Sequence, residues 1–138
     1  MDLIFNLEKI NNRQVLHLQR IVNRGKVGSE FFYTILMLFE KVANEYKFII
    51  YNKAYKEKVG KNILKYYTRL HKQIENVYDV FFNYDAKKIA KIVLEDIRVE
   101  EFKVLFKENV YLTYSFMKIV DLLRSLLFQI VNLEFLKK

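Results

Sequence analysis

The feature that most constrains this chain is its shortage of residues that interrupt helices. Its 138 residues include three Gly and no Pro. Proline removes a helical hydrogen bond and glycine weakens a helix, so a chain with so few of either can form long helices. Hydrophobic residues make up 52% of the chain, which is too many for a disordered protein. We therefore expect an ordered, helical protein.

A few breaks divide the sequence into helical segments. Gly25 and Gly28 mark one break, Gly60 marks a second, and Asp85 is placed as the N-cap of the helix after a third. A fourth break lies around residues 107–111. Between the breaks, apolar residues recur at alternating steps of three and four, which suits antiparallel helix packing. We predict one domain over residues 1–138, an all-α antiparallel helical bundle with helices near 2–23, 29–55, 61–82, 86–106 and 110–136.

The last predicted helix, 110–136, is apolar over most of its circumference. A helix of this kind lies at the centre of its bundle or shares an interface with a second subunit. We therefore expect a homodimer. The polar residues of this helix form one narrow stripe, which consists of Lys118, Asp121, Ser125, Gln129 and Asn132.

The sequence also bears on location. The most apolar windows, 31–39 and 119–136, are interrupted or bounded by charged residues before the ~20 apolar residues that a membrane-spanning helix needs. The chain has no Cys, which fits a reducing compartment. We expect a soluble, cytoplasmic protein without a transmembrane segment.

Positive charge is concentrated in one segment. The net charge is +8, and residues 47–72 contain eight Lys or Arg but only one acid, Glu57. Such a segment is expected to meet an anionic partner. Tyrosines lie among the cations, so the segment could contact nucleic acid or an acidic protein surface. The alternative is that the segment is a solvated, lysine-rich surface without a partner. The candidate partner-binding residues are Lys53, Lys56, Lys58, Lys61, Lys65, Arg69 and Lys72.

The inventory of reactive groups argues against an enzyme. There is no Cys, no Gly-x-Ser-x-Gly motif and no glycine-rich phosphate loop, and the two histidines, His17 and His71, lie far apart in sequence. We therefore expect no catalytic residues.

One set of side chains in the sequence has a spacing that is compatible with metal binding. His71, Glu75 and Asp79 are spaced four residues apart, which places them along one face of a helix. A carboxylate metal site in a bundle takes ligands from several helices that face inward. The Glu-x-x-His signature of di-iron bundles is absent, so the alternative is a solvated polar face.

Two stretches share a pattern that points to a family. In FEKVANEY (39–46), Lys41 is followed by two apolar residues and Asn44, and in FMKIVDLL (116–123), Lys118 and Asp121 repeat this spacing. Both stretches resemble the signature helix of PhoU-like proteins. The stretch 81–102 is similar to the family's other recurring pattern, an Asp-x-x-x-Ala helix start followed by an acidic pair and a further acid–apolar turn. The corresponding positions are Asp85, Ala90, Glu95, Asp96 and Glu101, with Ala90 one residue later than this spacing.

The resemblance, which spans most of the chain, implies an archaeal-type, PhoU-like regulator without an added DNA-binding domain. Such proteins consist of three-helix units and restrain phosphate uptake or signalling through transporter ATPases and sensor kinases. Some members bind iron or zinc through acid pairs. Here Asn44 and Met117 occupy two positions where the family pattern has an acid, so we interpret any metal-cluster site in this chain as weakened. The candidate ligands for iron or zinc are Glu40, Glu75, Asp79 and Asp121.

Our leading hypothesis is therefore a non-enzymatic regulatory protein that binds a partner protein. The alternatives are a nucleic-acid-associated basic helical protein and a metal-binding helical bundle.

Overall fold

The computed structural model describes Arg13 and the ranges 29–51, 59–95 and 99–136. Apart from Arg13, which is helical, the predicted helix near 2–23 lies outside these residues. The described ranges contain no strand, so the all-α helical bundle is confirmed. Their helices are α1 (Ser29–Tyr51), α2 (Lys61–Phe82), α3 (Ala86–Leu94), α4 (Val99–Glu108) and α5 (Val110–Leu136).

The bounds of α2 and α5 match the predicted segments 61–82 and 110–136. The prediction of a single helix near 86–106 is wrong, because α3 ends at Leu94 and a separate α4 begins at Val99. At this point the guanidinium of Arg69 donates a hydrogen bond of 3.1 Å to the carbonyl oxygen of Glu95. That contact comes from α2, so no local pattern in the sequence could show it.

The core is built around α5. This helix packs against α1, α2 and α4, while α3 packs against α2. One hydrophobic cluster contains buried side chains from all five helices. One set of apolar residues of α5 recurs at alternating steps of four and three, and its members are all buried and form the inner seam, which consists of Leu112, Phe116, Ile119, Leu123, Leu126, Ile130 and Leu133. Each such side chain contributes roughly 1.5–3 kcal/mol when it leaves water, so α5 anchors the bundle.

Aromatic rings join α1 to α2. The ring of Phe39 lies 5.3 Å from that of Tyr78 and 5.7 Å from that of Phe81, and Phe32 contacts Phe81 at 6.1 Å, all edge-on. Edge-on geometry suits the charge distribution of aromatic rings. The FEKVANEY stretch therefore turns Phe39 and its apolar neighbours towards the core.

Two predicted breaks are confirmed by their hydrogen bonds. The carboxylate of Asp85 accepts from the backbone N–H groups of Lys87 and Lys88 at 3.0 and 3.2 Å, so Asp85 is the N-cap of α3. Between α4 and α5, the buried side chain of Asn109 accepts from the N–H of Leu112 at 3.0 Å. Asn109 therefore caps α5 within the 107–111 break.

The start of α2 is capped from a distant helix. Gly60, which precedes α2, provides no side-chain cap. Instead the carboxylate of Glu108, at the end of α4, accepts from the side chain of Asn62 at 2.6 Å and from the N–H of Ile63 at 3.1 Å. A Cβ on residue 60 would collide with this carboxylate. Gly60 thus leaves room for the contact that joins α2 to α4.

This geometry predicts coupled effects of two substitutions. Gly60 has a φ of −72°, which alanine adopts without strain, so in the folded protein Gly60→Ala acts by displacing Glu108. We expect Glu108→Ala to lower the free energy of unfolding by about 1 kcal/mol, the typical value of a helix cap. Gly60→Ala should lower it by less, because the restriction of the unfolded chain offsets part of the lost contact. In the Glu108→Ala background, Gly60→Ala should be neutral or stabilising, because alanine restricts the unfolded chain. A urea-denaturation double-mutant cycle tests this, and additive losses would contradict it.

Candidate functional site

The basic segment forms an ordered face where the structure describes it. Lys61, Lys65, Arg69 and Lys72 are all exposed on α2. At 3.6 residues per turn, these four positions fall within an arc of about 80°. The segment therefore presents a row of cations to solvent on one side of the helix. The three other candidates, Lys53, Lys56 and Lys58, lie outside the described residues.

Arg69 differs from the three lysines of this face. Its Nη1 lies 3.2 Å from Oε1 of Glu101, and its Nη2 donates to the backbone oxygen of Glu95. Arg69 thus links α2 to α4 and to the end of α3. By contrast, within the described ranges no carboxylate lies at ion-pair distance from Lys61, Lys65 or Lys72. We call these three lysines the basic face of α2.

The tyrosines of the segment point elsewhere. Tyr66 is buried and stacks against Phe116 of α5 at 5.2 Å. Tyr67 is partly buried beside the same ring at 6.3 Å, and burial raises the pKa of its hydroxyl. Both rings therefore pack in or against the hydrophobic core and do not lie beside the exposed lysines. The side chains of Tyr51 and Tyr55 lie outside the described residues.

Three of the four candidate metal ligands have a cation or an imidazole as a neighbour. The carboxylate of Glu75 lies 3.4 Å from Nε2 of His71, Asp121 lies 3.6 Å from Arg124, and Asp79 pairs with Lys88. Glu40 is partly buried on α1. Within the described part of the chain, no three or more Asp, Glu or His side chains are grouped so that they could hold a metal ion. An iron or zinc site stays a prediction that this geometry does not support.

The Asp79–Lys88 pair predicts a pH dependence of stability. The hydrogen bond and charge of Lys88 hold the pKa of the Asp79 carboxyl below its usual 3.8. A group with a lowered pKa in the folded state stabilises the protein above its unfolded pKa and loses this effect as pH falls through the folded pKa. Wild type should therefore unfold at higher urea than Asp79→Asn at pH 7, and the difference should vanish as the pH falls below 3.8.

Lys88→Gln provides the matched control for this prediction. In that background, Asp79→Asn should change the pH dependence much less, because Lys88, the main group that lowers the pKa of Asp79, is gone and only the weaker hydrogen bond with Asn83 remains. A difference that persists at full size without Lys88 would show that Lys88 is not the main group that holds the Asp79 carboxylate. A rise in melting temperature on adding zinc, seen in wild type and absent from Asp79→Asn, would favour a metal-ligand role instead.

An apolar groove lies between α2, α3 and α5. Its volume is about 440 Å³, which is within the range of small-ligand pockets and partner grooves. Phe128 and Val93 stand at its rim and are 65% and 58% exposed. Sequence reasoning missed this groove, because it depends on how three helices converge. Most of its remaining lining is apolar and comprises Leu70, Ile89, Ile92, Val120, Leu123, Leu127 and Val131.

Gln73 is the unusual residue of the groove. Its side chain is only 8% exposed, and its amide oxygen has no hydrogen-bond partner in the described structure. A buried polar atom left unpaired costs about 1–3 kcal/mol. The sequence did carry a signal for it, since Gln73 interrupts the apolar face between Leu70 and Val77.

We expect Gln73→Leu to raise the free energy of unfolding by about 1 kcal/mol, because it removes the unpaired oxygen and keeps the volume. Asn76→Leu, on the more polar side of α2, should change stability little and serves as the control. Urea denaturation of the three proteins measures both effects. Destabilisation by Gln73→Leu would mean that the amide has a partner, such as a bound ligand.

None of the helices in the described ranges is long and apolar enough to cross a membrane. Comparison with known proteins gives no assignment: no protein-family model, curated protein or solved structure matches the chain. The resemblance to PhoU-like proteins therefore rests on the sequence patterns alone.

Proposed function

We propose that this chain is a non-enzymatic, cytoplasmic regulatory protein that binds an acidic surface of a partner protein through the basic face of α2. The observation that carries the proposal is the exposure of Lys61, Lys65 and Lys72 on one side of a helix, with no described carboxylate to neutralise them. By the PhoU-like resemblance, the partner is a transporter ATPase or a sensor kinase that acts in phosphate homeostasis.

The surroundings of the basic face favour a protein surface over nucleic acid. Proteins that hold single strands combine cations with exposed aromatic rings on which bases stack. In α2, however, Tyr66 and Tyr67 pack against Phe116. Arg69, whose planar group best matches a phosphate, already binds Glu101 and the Glu95 carbonyl. The three lysines supply charge without base recognition, which suits an acidic protein surface.

The position of the lysines along α2 also supports a binding role. A helix N-terminus carries partial positive charge and is stabilised by acidic residues. The first turn of α2 contains no acid and begins with Lys61. The negative charge at this end comes from Glu108 of α4 instead. A lysine placed where helix stability favours an acid is consistent with selection for binding.

Removing the charge of the basic face should abolish partner binding. We expect tagged wild-type protein to co-purify with a transporter ATPase or a sensor kinase from native cells, and the variant Lys61→Gln/Lys65→Gln/Lys72→Gln to lose it. The control Lys87→Gln/Lys91→Gln/Lys103→Gln removes the same charge from exposed positions on α3 and α4 and should retain the partner. The proposal would be contradicted if the wild-type protein recovered neither a transporter ATPase nor a sensor kinase. It would also be contradicted if both variants lost the partner to the same extent.

A DNA titration at several salt concentrations tests the nucleic-acid alternative. Binding through phosphates weakens steeply as salt rises, and the basic-face variant should reduce this slope. Absence of binding by wild type at low salt excludes the alternative. The metal-binding alternative has the least support, and elemental analysis of native protein for stoichiometric iron or zinc tests it.

We also propose that the chain is a homodimer. Although α5 packs against three helices, it still exposes large apolar side chains on its outer side, among them Phe128 and Phe135. Several large apolar side chains exposed along one side of a helix are typical of an interface.

A further inference from the structure

The outer side of α5 carries a second row of side chains at helix-packing spacing. Its steps alternate between four and three, as in the buried seam on the opposite side. Four apolar members, Val110, Tyr114, Phe128 and Phe135, are between 56% and 69% exposed. The full outer row consists of Val110, Tyr114, Met117, Asp121, Arg124, Phe128, Val131 and Phe135.

The outer row is long enough to form an interface. It extends over 25 residue steps, or about 38 Å at 1.5 Å per residue. Its only charged members, Asp121 and Arg124, lie at its centre and form an ion pair of 3.6 Å within the helix. Apolar residues occupy both ends. A row that is apolar at both ends and charged in the middle is close to symmetrical about its midpoint.

We propose that the outer row binds the outer row of a second copy of this chain, antiparallel, around a two-fold axis that passes between Asp121 and Arg124. The inference rests on the proposed homodimer and specifies its interface. In this register, Asp121 of one copy faces Arg124 of the other, and the symmetry repeats the contact. In a parallel register each residue would face its own equivalent, so like charges would meet at the centre.

The apolar members match in the same antiparallel register. Met117 faces Phe128 of the second copy, and Tyr114 faces Val131. At the ends, Val110 faces Phe135. Each contact sets a larger side chain against a smaller or more flexible one, which is the arrangement that fills space between helices.

The groove described above supports the same placement. Arg124, Phe128 and Val131 belong to the outer row and also line the groove. A second copy seated on the outer row therefore lies along the groove and meets Val93 of α3 at its rim. This adds apolar contact beyond a single helix pair, towards the roughly 800 Å² per partner that stable dimers bury.

Charge substitutions at the centre of the row test the interface. Sedimentation equilibrium of the full chain should show a dimer for wild type and at least about tenfold weaker dimerisation for Asp121→Arg and for Arg124→Asp, because each variant brings like charges together. The double variant Asp121→Arg/Arg124→Asp should restore the dimer. Glu75→Arg, an equal change of charge on the exposed side of α2, should have no effect.

The possible outcomes distinguish the proposed interface from the proposed homodimer. A monomeric wild type overturns both proposals. A dimer that persists in Asp121→Arg keeps the homodimer but overturns the outer row as its interface. Circular dichroism melts confirm that each variant is folded, which is expected because both residues are exposed.

Disulfide trapping tests the antiparallel direction. The chain has no Cys, so every disulfide that forms must join the introduced cysteines. A mixture of Met117→Cys and Phe128→Cys copies should form a covalent dimer on oxidation, whereas either variant alone should not. Covalent dimers in the single-variant samples would show that equivalent residues meet, and the antiparallel register would be wrong.

Discussion

The burial of α5 among α1, α2 and α4 is the contact on which the rest of the structure depends. Its inner seam, from Leu112 to Leu133, supplies much of the hydrophobic core. Because α5 is apolar over most of its circumference, burying one side still leaves apolar residues such as Phe128 on the other. One compositional property therefore explains both the stability of the bundle and the surface available for a second copy.

The same contact determines which part of α2 reaches solvent. Packing Tyr66 against Phe116 turns the apolar side of α2 towards α5, and helix geometry then directs Lys61, Lys65 and Lys72 outward. The basic face is thus a consequence of core packing, although its residues take no part in the core. Glu108 holds the start of α2 in place from α4. The orientation of the lysines consequently depends on three helices.

Local ion pairing also changes how the acidic residues are interpreted. Helical spacing places His71, Glu75 and Asp79 along one face, as expected from the sequence. In the folded chain, however, Asp79 pairs with Lys88 of α3, which the turn at 83–85 brings alongside α2. Asp121 likewise has Arg124 as its neighbour. Both carboxylates therefore already have a cation as a neighbour, which a metal ion would have to displace.

The sequence by itself determined the all-α class, the bounds of α2 and α5, and the N-cap at Asp85. These features depend on residues close together in the chain, through helical periodicity and capping hydrogen bonds. Tertiary structure alone decided the separation of α3 from α4, the engagement of Arg69, the burial of Tyr66 and the groove around Gln73. Each of these arises where side chains from different helices meet, and local patterns do not show which helices converge.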